Sequence, residues 1–304
     1  RCMVRRVTPA QLRAAVQKAQ RDQKRAIDNY NREVRKHNAA VKQAVNKYNR
    51  EVRNYNSRAR THNRKVESQR RRVQQEIQRL NARPAASTII TVRASTQTFV
   101  QRYEGVETTL AGRTLGAQDR LFLDLASDEA ANSAYLLNAL DGDGSPEDDL
   151  SEDQLQAPSL AAELSLFSQD LVDRWTGALF ALSPANPDAA RHFCTSAREV
   201  VITMLDTSAP DKVVLVANPE CELTDRGAPT RRAKIKYLMG RHNVAAQEIT
   251  ELVAEDVDNV LSLFRAFNDG THGHAGRFSI TELTALRTRV ESAVSFIHQI
   301  VSTA

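Results

Sequence analysis

The apolar positions of the first eighty residues fall on one stripe. Val34, Val41, Val52, Ala59, Val66, Val73 and Leu80 follow one another at steps of 7, 11, 7, 7, 7 and 7. A seven-residue period belongs to a helix packed along a seam, and the longer step is a four-residue stutter near Val45. Asn31, Asn38, Asn49, Asn56 and Asn63 stand three residues before members of the stripe, each preceded by Tyr30, His37, Tyr48, Tyr55 or His62. The repeat reads Tyr/His-Asn-x-x-Val, and Asn at a seam position fixes register and oligomer at some cost in stability. Thr8 and Pro9 form a helix start, N-cap then first turn. No further Pro and no Gly follow before Leu80. The pattern predicts one helix of about 70 residues, roughly 105 Å long. It is read first as a coiled coil or helical hairpin, and second as a nucleic-acid arm. The two readings coexist, because the seam and the basic face point in different directions.

The period changes after Arg83-Pro84. Thr88 to Val92 is β-branched and Thr96 to Tyr103 continues in kind, which predicts a short strand or hairpin. Residues 117–140 are expected to be helical through Leu121, Leu123, Leu125, Leu136 and Leu137. The acidic, turn-rich run from Asp141 does not fit a calcium loop, since Pro146 stands where the central Gly is needed. It reads as a solvated linker. Helical spacing returns over 158–183, again from near Pro187, over Thr230 to Met239, over Ala245 to Phe267, and from Ser279 onward. Ser279 and Glu282 have the spacing of a capping box. Asp206 to Asp225 reads as a looser connection. The fold class expected is mainly α: a long coiled-coil-like N-terminal helix over 8–83, a mixed linker with short strands over 84–156, and a C-terminal helical bundle over 157–304.

Charge divides the chain the same way. Residues 1–83 carry 24 Lys and Arg against 6 Asp and Glu, whereas the remainder carries 18 against 31. An arm of such charge attracts phosphate polymers or an acidic surface. Cys2, Cys194 and Cys221 have no regular spacing, which excludes a disulfide framework and a Cys-rich zinc site. The charged N-terminus lacks an apolar signal core, and no apolar run is long enough to span a bilayer. A cytoplasmic location with no membrane partner is expected, with Met3 as the natural start.

Two places carry candidate chemistry. Arg265 closes a predicted helix, and after six intervening residues His272 follows in a Gly-rich loop that also holds Asn268 and His274. A fixed guanidinium and a titratable imidazole at one helix end can cleave RNA without a metal: the imidazole moves a proton and the guanidinium stabilises the crowded phosphate. The structural alternative is an Arg that serves the last carbonyls of its helix. Arg191, Arg198 and Glu199 form the second place, with Arg191 and Arg198 on one helical face, able to orient the loop at His272. Arg231, Arg232, Lys234 and Lys236 add a basic patch that can hold a phosphate backbone. His272, His274 and Asp269 lack an evident further ligand for zinc, so no metal and no cofactor is expected.

Several segments together resemble a known family. They are Asp173 to Leu179, Asn186 to Phe193 with Ser196 to Glu199, Thr230 to Tyr237, and Gly270 to Phe278. These resemble the predicted pPIWI-associating nucleases of bacterial defence loci, and the Tyr/His-Asn-x-x-Val helix is similar to the N-terminal arm of such proteins. More distantly, an Arg, a six-residue gap and a His after a helix resemble the HEPN superfamily, whose members use Arg-x(4–6)-His in a helical bundle at a dimer interface. Here Ala266 follows the Arg, where a polar residue is common. The resemblance implies a nuclease of anti-phage or anti-plasmid defence, with Arg265 and His272 as the catalytic pair and RNA as substrate. It also implies a homo-oligomer assembled through the N-terminal helix and the bundle, and a defence-system partner protein. The alternatives are a non-catalytic scaffold and a metal-dependent DNA nuclease.

Overall fold

A computed structural model of the chain describes residues 8–82, 90–144, 149–242, 244–268 and 278–302. Their elements in order are α1 (Pro9–Ala82), α2 (Ile90–Leu110), α3 (Ala117–Leu140), α4 (Glu152–Gln156), α5 (Ala161–Ser165), α6 (Gln169–Phe180), α7 (Ala189–Ser208), α8 (Asp211–Ala217), α9 (Arg231–Arg241), α10 (Gln247–Asn268) and α11 (Ile280–Ser302). The chain divides into two compact units between Lys65 and Val66.

The first unit is helix alone, and the long uninterrupted helix expected from the seam is present. Thr8 caps it: its Oγ1 accepts from the Gln11 amide at 3.3 Å, and Gln11 Oε1 accepts from the Thr8 amide at 3.0 Å. Its seam faces solvent, with Val41 47% and Tyr55 73% exposed.

In the second unit the same seam goes inside, where Val73, Ile77 and Leu80 are buried. Around them α10 packs on α2, α3, α7 and α9, while α11 packs on α3 and α7, and α6 on α7. Phe99, Phe122, Trp175, Phe193, Phe264 and Phe296 fill the space between these helices. A buried ionic group ties three of them. Arg289 of α11 donates to Glu129 of α3, and at 2.5 Å to Asp256 and 3.1 Å to Asn259 of α10. Burial pushes the Glu129 carboxyl up to about 8, against the pull of Arg289. Ser279 caps α11 as its spacing required, with Oγ accepting from the Glu282 amide at 3.2 Å and Glu282 Oε2 from the Ser279 amide at 2.7 Å.

Three expectations need correction. No strand occurs among the described residues, and the predicted strand region from Ile90 onward is α2. Val92, Thr96, Phe99, Val100, Tyr103, Val106 and Leu110 are buried at three- and four-residue steps, so helical periodicity overrides the local preference of β-branched residues. The single helix expected over 158–183 is α5 and α6, broken at Ser168, whose Oγ accepts from the Leu171 amide at 3.3 Å and starts α6 afresh. Within the connection expected over 206–225, Asp211–Ala217 forms α8 and buries Val214.

The acidic run is also more engaged than a solvated linker. Arg93 of α2 pairs with buried Asp141, and Asp149 Oδ2 accepts from Thr281 Oγ1 at 2.8 Å. Residues 145–148 lie outside the described residues.

Candidate functional site

Thr230 starts α9 by accepting the Ala233 amide on its Oγ1 at 3.1 Å. Just before it the backbone folds into a tight turn: the Gly227 amide donates to Thr224 O at 2.8 Å and the Thr230 amide to Glu222 O at 2.9 Å. Gly227 has a φ of 77°, a left-handed conformation that glycine adopts without steric cost. This turn carries Arg226 to the rim of a groove whose other walls are α7, α9 and α10.

The groove has a volume of about 700 Å³. Arg226, Arg231, Arg232, Lys234 and Arg265 line it together with Asp206, Asp211, Glu222 and Asp258. Its cations are of two kinds. Lys234 has a buried side chain held between Asp206 and Asp211 at 2.7 and 2.6 Å. Arg232 meets Glu251 at 2.5 Å, Asp258 at 3.3 Å and Glu255 at 3.8 Å. Lys236, beside the groove, meets Glu251 at 2.7 Å. These three cations offset carboxylates of the fold itself, and the Glu251 carboxyl is accordingly held below its ordinary value by Lys236 and Arg232. Arg226, Arg231 and Arg265 are exposed and form no ion pair with any described carboxylate. A phosphate entering the groove would meet these three guanidinium groups, none of them ion-paired with a described carboxylate.

Arg265 lies in the last turn of α10. Its Nε donates to Leu261 O at 3.3 Å and its guanidinium to Ser262 Oγ at 3.3 Å. These contacts hold the side chain along its own helix toward the groove. Nearby Asp258 has its carboxyl pushed up by burial, even with Arg232 and Arg265 close by.

The N-terminal end of α7 meets the C-terminal end of α10, since Thr195 Oγ1 donates to Asn268 Oδ1 at 2.9 Å. Ile202 and Leu261 line the groove further along the two helices, and Asp206 and Asp258 further still. The helices are therefore antiparallel. Arg198 lies between Thr195 and Ile202, and Arg265 between Asn268 and Leu261, so the two cations sit at matching levels of neighbouring helices. Arg198 is half-buried and Glu199 exposed, with no ion pair between them. Arg191 pairs with Asp188 at the start of α7, and His192 approaches the same carboxylate at 3.3 Å.

The fold thus brings Arg265 to one groove with Arg231, Arg232 and Lys234, and places Asn268 against α7. His272, His274 and Asp269 lie outside the described residues. Arg226 was not singled out by sequence reasoning; the Asp225-Arg226-Gly227 turn was its one signal. Among the described residues no group of three or more His, Cys, Asp and Glu is placed to hold a metal ion. No described helix is long and apolar enough to cross a membrane.

Comparison with known proteins gives one match. No curated protein and no solved structure is similar to the chain. The match covers the elements that form the groove and leaves the N-terminal helix outside it. Residues 164–297 are similar to the model of a family described as predicted pPIWI-associating nuclease.

Proposed function

We propose that the chain is a metal-independent endoribonuclease of a bacterial defence system, acting at the groove between α7, α9 and α10. The observation that carries this reading is the sorting of cations there. Carboxylates of the fold engage Arg232 and Lys234, while Arg226, Arg231 and Arg265 are left for a ligand. Three guanidinium groups lining one groove suit a phosphate backbone.

Arg265 is the phosphate clamp and His272, seven residues on, is the general acid/base, as the resemblance to HEPN nucleases implies. The reaction needs no other group. The 2′-hydroxyl loses its proton to the imidazole, and the 2′-oxygen attacks the adjacent phosphorus. The bond to the 5′-oxygen breaks and that oxygen takes the proton from the imidazolium, which returns the imidazole to its neutral form. A 2′,3′-cyclic phosphate and a 5′-hydroxyl result. Arg265 stabilises the charge gathered on the phosphorane oxygens, a role typically contributing a factor of about 10² to 10³ in rate. Arg226 and Arg231 hold the flanking strand. His274, Asn268, Arg191, Arg198 and Glu199 are supporting positions. The N-terminal helix assembles copies of the chain and recruits nucleic acid, and the pPIWI protein of the family name is its partner in defence.

The test compares the protein with its Arg265→Ala and His272→Ala variants on RNA and DNA in excess EDTA. RNA is expected to be cut, and each variant to lose at least about 100-fold in rate. Cleavage that survives both substitutions removes the site assignment. Cleavage of DNA only when a divalent ion is supplied supports the metal-dependent alternative. Cleavage of nothing, with binding intact, leaves the scaffold reading.

A further inference from the structure

The first unit presents a long, exposed helical face. Along residues 27–62 it consists of Val34, Val41, Val45 and Val52 alternating at three- and four-residue steps with Tyr30, His37, Tyr48 and Tyr55. These side chains are well exposed for their kind: Val34 37%, Val41 47%, Val52 36%, Tyr48 67% and Tyr55 73%. The same stripe continues into the second unit, where Val73, Ile77 and Leu80 are buried. One continuous seam is therefore buried at its C-terminal end, at Val73, Ile77 and Leu80, and exposed from Val34 to Val52.

Charge decides what covers it. In heptad terms Val occupies a, Tyr or His occupies d, and Asn occupies the flanking e position. The other flank, g, holds Glu33, Ala40, Glu51, Arg58 and Lys65, two negative and two positive groups. The edge of the seam is thus neutral, although the helix as a whole is strongly basic. The excess cations lie away from it, for example Arg53, Arg60 and Arg64 on the opposite side. A polyanion is drawn to that opposite side, whereas the seam offers a neutral, half-apolar edge that suits another such helix.

We infer that the seam binds the seam of a second copy of this chain, antiparallel, with the two-fold axis at Tyr48. This deepens the assembly role proposed above for the N-terminal helix and is independent of the nuclease chemistry. The register follows from the stutter between Val41 and Val45, which shifts the heptad frame midway along the unit. When the two frames run against each other with residue numbers summing to 96, a positions meet d positions in the layers outside the two stutters. Val34 then faces His62 of the second copy, Val41 faces Tyr55, and Ala59 faces His37. These outer layers each join one small and one large side chain, and at the axis Tyr48 meets Tyr48 of the second copy. The flanks agree with the core. Asn31 lies beside Asn63 of the second copy and Asn38 beside Asn56, giving amide pairs along one edge. Glu33, which reaches Lys36 of its own helix at 2.9 Å in the open, meets Lys65 of the second copy on the other edge. A parallel arrangement stacks Val on Val and Tyr on Tyr in alternately thin and thick layers. It also sets Glu33 and Glu51 against Asn, leaving their charge without a partner across the interface.

Disulfide cross-linking of the full chain tests this. Val41→Cys and Tyr55→Cys proteins, one mass-labelled, are freed of nucleic acid in high salt, mixed and mildly oxidised. Cross-linked peptides are then identified by mass spectrometry, which separates them from any formed by the native cysteines. Both substitutions are at exposed positions, so folding of the second unit is preserved and is checked by circular dichroism. The expected result is a disulfide joining position 41 of one copy to position 55 of the other, with little 41-to-41 product. Val41→Asp with Val52→Asp is expected to convert the dimer to monomer in sedimentation. A dominant 41-to-41 disulfide overturns the antiparallel register. A monomer at every concentration, or a dimer seen only when RNA is added, overturns pairing through the seam. None of these readouts depends on cleavage activity, so failure here and failure of the nuclease reading are told apart.

Discussion

At the scale of single residues, the fold spends its charges in two different ways. In the core, Arg289 is shared between Glu129 and Asp256, two carboxylates for one guanidinium, all nearly inaccessible. Two ionised carboxylates there would leave a net buried charge, and burial accordingly lifts both acids above their ordinary values. Glu129 rises from 4.5 to about 8. The folded state then holds a proton that the unfolded state has released, so stability falls as pH rises between these values. The contribution is fully present below 4.5 and is lost as pH passes about 8. Glu129→Gln keeps the shape of the group without the ionisation. Thermal unfolding across this range is expected to show a downward slope for the native protein and a much flatter one for the variant. An equal slope in both removes Glu129 as its source. In the groove the charges are sorted differently, since three of its five lining cations have no ion pair with a described carboxylate. Sequence spacing marked Arg231, Arg232, Lys234 and Lys236 alike as phosphate ligands. It could not separate them, because the separating groups come from α7, α8 and α10.

At the scale of elements, the helix starts were the most legible feature. Thr8, Thr230 and Ser279 all accept the amide three residues on, a local geometry that depends on few other residues. Thr230 matters most for the site, because it fixes where α9 begins and so where Arg231 points. Thr230→Ala is expected to lower stability by about 1 kcal/mol and to weaken nucleic-acid binding along with it. Calorimetry and a binding titration on the same sample check this, and unchanged stability contradicts the cap's role. The elements misread were those in which a local preference competes with packing. Thr-Val-Arg at the start of α2 looks extended in isolation, yet Phe99, Val100 and Tyr103 further on fit only a helix buried against α3 and α10. Phe167 and Ser168 interrupt an otherwise helical apolar pattern, and Ser168 at an N-cap was the signal passed over. Arg226 was missed for a similar reason: a turn residue has no periodicity, and its place beside the groove depends on where α9 and α7 lie.

At the scale of the whole molecule, the sequence separated a basic helix from a helical bundle, and both are present as such. The similarity to the nuclease family model covers residues 164–297, hence the groove and the segment that carries His272. The central claim is that this groove cleaves RNA through its own 2′-hydroxyl, with Arg265 on the phosphate. The most direct measurement uses one RNA and a copy with a single 2′-deoxy sugar at the cleavage position, both in excess EDTA. The account predicts that the all-ribose strand is cut to a 2′,3′-cyclic phosphate and a 5′-hydroxyl, and that the deoxy copy stays intact at that position. Equal cutting of both strands, or products ending in a 3′-hydroxyl, would contradict it.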